Sequence, residues 1–108
     1  MVLKGAPTVT AGPDGRATVN PTGNPGLATA GTGDVLAGMI ASLLAQRLDP
    51  YDAARAAAYV HGMSGDRVAG EKGPLGLDAG DVAEALPAAM HALTRARDAE
   101  LETRSQGP

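Results

Sequence analysis

Apolar positions between residues 34 and 47 recur with the period of an α-helix. Val35, Leu36, Met39, Ile40, Leu43 and Leu44 fall on one stripe. Opposite them stand Ala37, Gly38, Ala41, Ser42 and Ala45, small enough for another element to come close. No charge interrupts the segment between Asp34 and Arg47, so the pattern predicts a helix buried on most of its circumference. A second helix is predicted to start at Asp49-Pro50, with Asp49 as N-cap and Pro50 in the first helical position, and to run through the alanines from 53 towards Gly70. A third is expected from Asp81, with Val82, Leu86, Ala89 or Met90 and Leu93 inward, bent or restarted at Pro87. Ahead of the helices the period shortens. Residues 2–4 begin as an apolar strand, and 8–11 and 16–20 are β-prone runs around the turn Gly12-Pro13-Asp14-Gly15. Residues 20–26, Asn-Pro-Thr-Gly-Asn-Pro-Gly, form a loop of turn residues.

Composition narrows the classes. A chain of 108 residues is one domain at most. Aromatic residues make up 2%, without Phe or Trp, so the core must come from Leu, Val, Met and close Ala/Gly packing. The absence of cysteine removes disulfides and thiolate metal sites, and two distant histidines make a poor zinc site. A net charge of −3 with no basic cluster gives nucleic acid nothing to hold. The apolar run 35–45 is about half of a membrane span, and the N-terminus lacks a signal-peptide pattern, so a cytoplasmic protein is expected. From Arg95 onward charges of both signs replace apolar residues, which predicts a disordered tail over 98–108 behind a domain of 1–97.

The chemistry concentrates at Gly31-Thr32-Gly33-Asp34, where a glycine turn enters the first helix. The first amides of a helix lack intrahelical acceptors and carry partial positive charge. Glycines there permit a positive φ and leave room for an anion. Asp34 puts a carboxylate at the same mouth. Read locally, either Thr32 or Asp34 simply caps the helix, or the turn cradles a phosphate and carries a base. The phosphate-loop pattern is excluded, because Asp34-Val35 stands where Lys-Ser/Thr is required. The dinucleotide fingerprint fails at Leu36, where its third glycine belongs. Lys4 reads as a solvated strand-end lysine or as a nucleotide contact from a sheet edge. His61 reads first as a buried, hydrogen-bonded helix histidine and second as a catalytic group. Met63 reads as core and His91 as exposed.

The run 24–38, Asn-Pro-Gly-Leu-Ala-Thr-Ala-Gly-Thr-Gly-Asp-Val-Leu-Ala-Gly, resembles the ADP/ATP-dependent NAD(P)H-hydrate dehydratases of the ribokinase-like superfamily. Leu3-Lys4-Gly5-Ala6 with Thr8, Ala45-Gln46, Ala53-Ala54, His61-Gly62 and Gly65-Asp66 extend the likeness to about residue 93. The resemblance implies an α/β chain, the C-terminal part of a ribokinase-like fold: a short β-hairpin, then about three helices, beside an incomplete central sheet. It implies repair of damaged cofactor, the dehydration of the S-form of hydrated NADH or NADPH with ADP or ATP as phosphoryl donor and Mg2+. By position, Lys4, Gly5, Ala6, Pro7 and Thr8 would line the nucleotide, and Gly33 would contact it. The amides of Gly31, Thr32, Gly33 and Asp34 would offset phosphoryl charge. Asp34 would approach the hydrate hydroxyl and act as general base. The family's domain is longer, so the chain alone is expected to be inactive, unstable or self-associating, as a homo-oligomer or with the missing half. Another ribokinase-like kinase of a small alcohol, or a non-catalytic nucleotide-binding module, remains as an alternative.

Overall fold

A computed structural model describes residues 1–3, 8–28, 31–73 and 75–105. The β-prone stretches form a three-stranded antiparallel sheet in the order β1 (Val2–Leu3), β2 (Val9–Ala11), β3 (Ala17–Val19). The register pairs Val2 with Thr10 in one ladder and Thr10 with Thr18 in the other. At the turn between β2 and β3, Asp14 accepts from the Arg16 amide (3.1 Å) and pairs with its guanidinium (2.6 Å). Arg16 also lies 4.4 Å from the centroid of the Tyr51 ring, whose hydroxyl bonds Thr18, so the hairpin is tied to the helix that follows.

Three helices follow a 3-10 turn at Pro25–Ala28: α1 (Thr32–Ala45), α2 (Pro50–Lys72) and α3 (Ala79–Ser105). α1 ends where Arg47 takes a left-handed conformation (φ 68°), the place glycine commonly fills. Asp49 caps α2 as the sequence predicts, accepting from the amides of Tyr51 (3.1 Å) and Asp52 (3.3 Å). Asp49→Ala should cost about 1 kcal/mol in a denaturant titration; an unchanged midpoint would show that the cap contributes nothing.

α3 opens at Ala79, two residues earlier than the sequence suggests. Asp78, not Asp81, is the cap: the Asp81 amide donates to the Asp78 carboxylate (2.8 Å), and Asp81 accepts back from the Asp78 amide (3.3 Å). Lys72 donates to Asp81 (2.9 Å), which holds the Asp81 carboxyl below the usual carboxylate range and raises Lys72. Pro87 lies inside α3 without ending it. The helix continues past residue 98, where the sequence reading begins a disordered tail, as an exposed helix to Ser105. No glycine or proline stands between 88 and 105, and Arg104 pairs with Glu100 (2.6 Å) one turn back.

The core is made of small side chains. α2 lies between the others, presenting Ala53, Ala54, Ala57 and Ala58, all buried. Leu36, Ala57 and Ala58 form one cluster with Val2, Met39, Ile40 and Leu43 against it. Val68, Leu77 and Val82 form another with Leu27, Val35 and Ala85. On α3 the inward position is Ala89, fully buried, while Met90 is exposed. Two packing expectations fail: Leu93, expected inward on α3, is exposed, and so are Ala37, Gly38, Ala41, Ser42 and Ala45 on the far side of α1, against which no other element closes among the described residues. Among the described residues no helix is long and apolar enough to cross a membrane.

Candidate functional site

The loop after β3 is fastened to α2 along its length. Asn20, buried, donates to the Ala58 carbonyl (2.9 Å), and Thr22 Oγ1 donates to the Tyr59 carbonyl (2.8 Å). Asp66 then takes the Gly23 amide (3.0 Å) and the Asn24 side-chain amide (2.9 Å). Such close approach needs α2 to lack side chains at two places. A Cβ on Gly62 would lie 2.0 Å from Thr22 Oγ1, and one on Gly65 would lie 2.7 Å from Leu27 Cδ2. The sequence shows 20–26 as a loop and Gly65-Asp66 as part of the family likeness, without showing that Asn20, Thr22 and Asp66 join loop to helix. The available signal was the pair of glycines three residues apart on a helix, opposite a loop rich in Asn and Thr.

This fastening delivers the chain to the glycine turn. Gly31 is left-handed (φ 91°, ψ −17°) and is the N-cap of α1, without a side-chain cap bond. Neither Thr32 nor Asp34 is therefore the cap. A Cβ on Gly31 would stand 3.0 Å from Ala79 Cβ, so the start of α3 closes one side of the turn. Gly31→Ala combines that crowding with a disfavoured φ and should cost about 1–2 kcal/mol in a thermal or denaturant melt. An unchanged melt would mean that the turn can relax to a negative φ.

Thr32 is buried and held from two sides. Its hydroxyl donates to the Leu27 carbonyl (2.5 Å), and its carbonyl accepts from His61 Nε2 (2.9 Å). Its side chain is thus turned inward, away from the mouth of α1. Asp34's amide donates to the Gly31 carbonyl (3.1 Å), and Val35's to the same oxygen (3.3 Å). This corrects the expectation that every amide from 31 to 34 serves an anion: Asp34's is spent inside the turn. Gly33's is not, for among the described residues it donates no hydrogen bond. The Asp34 carboxylate is exposed beside it and has no hydrogen-bond or ion-pair partner among the described residues.

The structure therefore brings Gly31, Thr32, Gly33 and Asp34 together at one helix mouth. Thr8 is half-buried next to the start of the loop, its carbonyl accepting from the Asn20 amide (2.9 Å). Lys4, Gly5, Ala6 and Pro7 lie outside the described residues. His61 is buried as the sequence suggests, and His91 is exposed. An apolar groove of about 450 Å³ between the helices, lined by Val35, Met39, Leu43, Val60, Leu86 and Met90 among others, contains none of residues 31–34. Among the described residues no group of His, Cys, Asp or Glu could hold a metal ion.

The α/β arrangement of a hairpin followed by packed helices matches ribokinase-like dehydratases among solved structures. A family model for NAD(P)H-hydrate dehydratase matches residues 1–88, and the chain belongs to that family. It is 50% identical over 103 residues to the bifunctional NAD(P)H-hydrate repair enzyme of Moorella thermoacetica, which covers 95% of this chain and 19% of that one. It is 50% identical over 86 residues to the ADP-dependent (S)-NAD(P)H-hydrate dehydratase of Neisseria meningitidis, covering 79% of this chain and 29% of that one. The crystal structure of the ADP/ATP-dependent NAD(P)H-hydrate dehydratase from Bacillus subtilis, co-crystallised with ATP/Mg2+, superposes with a TM-score of 0.80 at 42% identity. That match covers 84% of this chain and 33% of the other. The chain thus spans between a fifth and a third of the length of these relatives.

Proposed function

We propose that this chain carries the phosphoryl-transfer end of an ADP-dependent dehydratase acting on the S-form of hydrated NADH or NADPH. The observation that supports it most is the uncommitted Gly33 amide with the exposed Asp34 carboxylate beside it at the mouth of α1. Water is a poor leaving group, and phosphate is a good one. Asp34 takes the proton of the hydrate hydroxyl as that oxygen bonds the terminal phosphorus of ADP. The bond from phosphorus to the bridging oxygen breaks, and AMP leaves. The ester's carbon–oxygen bond then breaks, phosphate departs with the electron pair, and the neighbouring carbon gives a proton to solvent. The products are NADH or NADPH, AMP and phosphate. Gly33, with the backbone of Gly31 and Thr32, would meet the negative charge that spreads over the phosphoryl oxygens. Lys4, Gly5, Ala6, Pro7 and Thr8 would line the nucleotide.

Magnesium belongs to this reading only as the nucleotide's companion. The described residues offer no metal-holding cluster of their own. A cytoplasmic setting, where reduced nicotinamide nucleotides and ADP meet, goes with the same proposal. So does association, with a second copy or with the rest of a dehydratase domain, because Leu44, Met90 and Leu93 present apolar surface.

The test is recovery of the reduced-nicotinamide absorbance from NADH hydrate with ADP and Mg2+, alongside an ADP titration that follows the amides of residues 31–35. Shifts centred on Gly33 are expected. ADP consumption without recovery of NADH would point to a small-molecule kinase instead, and the absence of any shift would remove the nucleotide from the turn.

A further inference from the structure

The buried histidine of α2 does more than fill the core. We infer that His61 is a positioning residue that fixes the direction and strength of the Gly33 amide. The carbonyl that His61 Nε2 meets, at 2.9 Å, is that of Thr32. This oxygen and the Gly33 nitrogen belong to one planar trans peptide, in which C=O and N–H point in opposite directions. Holding the oxygen against α2 therefore aims the Gly33 hydrogen away from it, out of the helix mouth. The Thr32 carbonyl also lies in the hydrogen-bond ladder of α1, so His61 adds a second restraint on a peptide that glycine at 33 leaves easier to rotate. A carbonyl cannot donate, so Nε2 must carry the proton. A donor on the carbonyl also polarises the peptide, strengthening its N–H as a hydrogen-bond donor by about 10–30%.

The surroundings fit this role. His61 is 3% exposed, so water does not compete for the bond. Its neighbours on α2 serve the same segment: Ala58 and Tyr59 receive Asn20 and Thr22, and Asp66 receives Gly23 and Asn24. The ring lies between these fastenings, at the peptide whose Gly33 amide donates no hydrogen bond among the described residues. The inference rests on the nucleotide reading for its purpose, but not for its geometry.

Two variants and one measurement on the unaltered chain test it. His61→Leu keeps the bulk and removes the donor, whereas His61→Gln keeps an N–H at similar reach. ADP affinity should fall about tenfold in His61→Leu, the worth of one hydrogen bond lost near a charged ligand, and stay within about threefold in His61→Gln. The Gly33 amide proton should move upfield in the leucine variant and return in the glutamine variant. Equal ADP affinity and an unmoved Gly33 resonance in His61→Leu would overturn the inference, as would a glutamine variant that falls as far as leucine. If the unaltered chain binds no ADP, the nucleotide reading fails, and the Gly33 resonance in the two variants still decides the role of His61. If His61→Leu does not fold, the ring itself decides. Its Nε2 should be protonated and its hydrogen should exchange far more slowly than that of exposed His91; a ring protonated only at Nδ1 overturns the inference.

Discussion

Asp34→Asn, in an active dehydratase carrying this segment, is expected to lower ADP-dependent recovery of NADH from its hydrate by about 10²–10⁴-fold, the usual worth of general base catalysis. ADP affinity should stay the same or rise slightly. Asparagine matches aspartate in shape, but its amide cannot take the hydroxyl proton. The fold has little reason to respond, because the carboxylate is exposed and makes no structural bond among the described residues. The backbone amide of residue 34, which closes the turn on Gly31, is retained in the variant. Removing a negative charge from the first turn of a helix costs about 0.3–1 kcal/mol of helix stability at most exposed sites. That is too small to mimic a loss of catalysis. An anion arriving at Gly33 would also escape repulsion from the neighbouring carboxylate, which is why binding should not weaken. Near-normal turnover would remove Asp34 from the chemistry. Joint loss of turnover and ADP binding would make it a binding residue instead.

What could be read from the sequence is what depends on neighbours in the chain. Asp49-Pro50 announces the start of α2 because cap and first-turn proline act on amides two and three residues away. The hairpin turn at 12–15 and the apolar stripe of α1 are local in the same sense. The glycine turn at the mouth of α1 was legible as a place, but not as an inventory of donors. Whether Asp34's amide is free depends on how far the Gly31 carbonyl swings in, and the direction of the Thr32 hydroxyl depends on Leu27. The outer side of α1 is not legible in the sequence, because small residues permit a close neighbour without supplying one. The charged stretch after residue 98 lacks apolar residues and so looks disordered in sequence, yet strong helix formers and a Glu100–Arg104 pair favour a helix even when nothing covers it. His61 could be assigned to the interior, but not to the Thr32 peptide, which lies 29 positions away in the chain.

Gly62→Ala is expected to destabilise the protein by about 2–3 kcal/mol, within the range for overpacking a close contact. Helix propensity argues the other way, since alanine gains about 1 kcal/mol over glycine inside a helix. The contact decides the sign. The new methyl would lie 2.0 Å from Thr22 Oγ1, and turning the Thr22 side chain would not relieve it, because Thr22's backbone carbon is only 2.8 Å away. The loop must lift as a whole. Lifting it strains the bonds from Thr22 to Tyr59, from Asn20 to Ala58 and from Gly23 and Asn24 to Asp66, each worth roughly 0.5–1.5 kcal/mol net. At about 4–8 °C per kcal/mol for a domain of this size, the melting temperature should fall by roughly 10 °C or more. Gly70→Ala on the same helix is the control: nothing lies within 4 Å of its Cβ position, so propensity should act alone and raise the melting temperature. The two substitutions share a helix and a chemistry and should differ in sign. Were Gly62→Ala to stabilise as Gly70→Ala does, the loop could not be pressed on α2 as described, and the support it gives to the turn at Gly31–Asp34 would go with it.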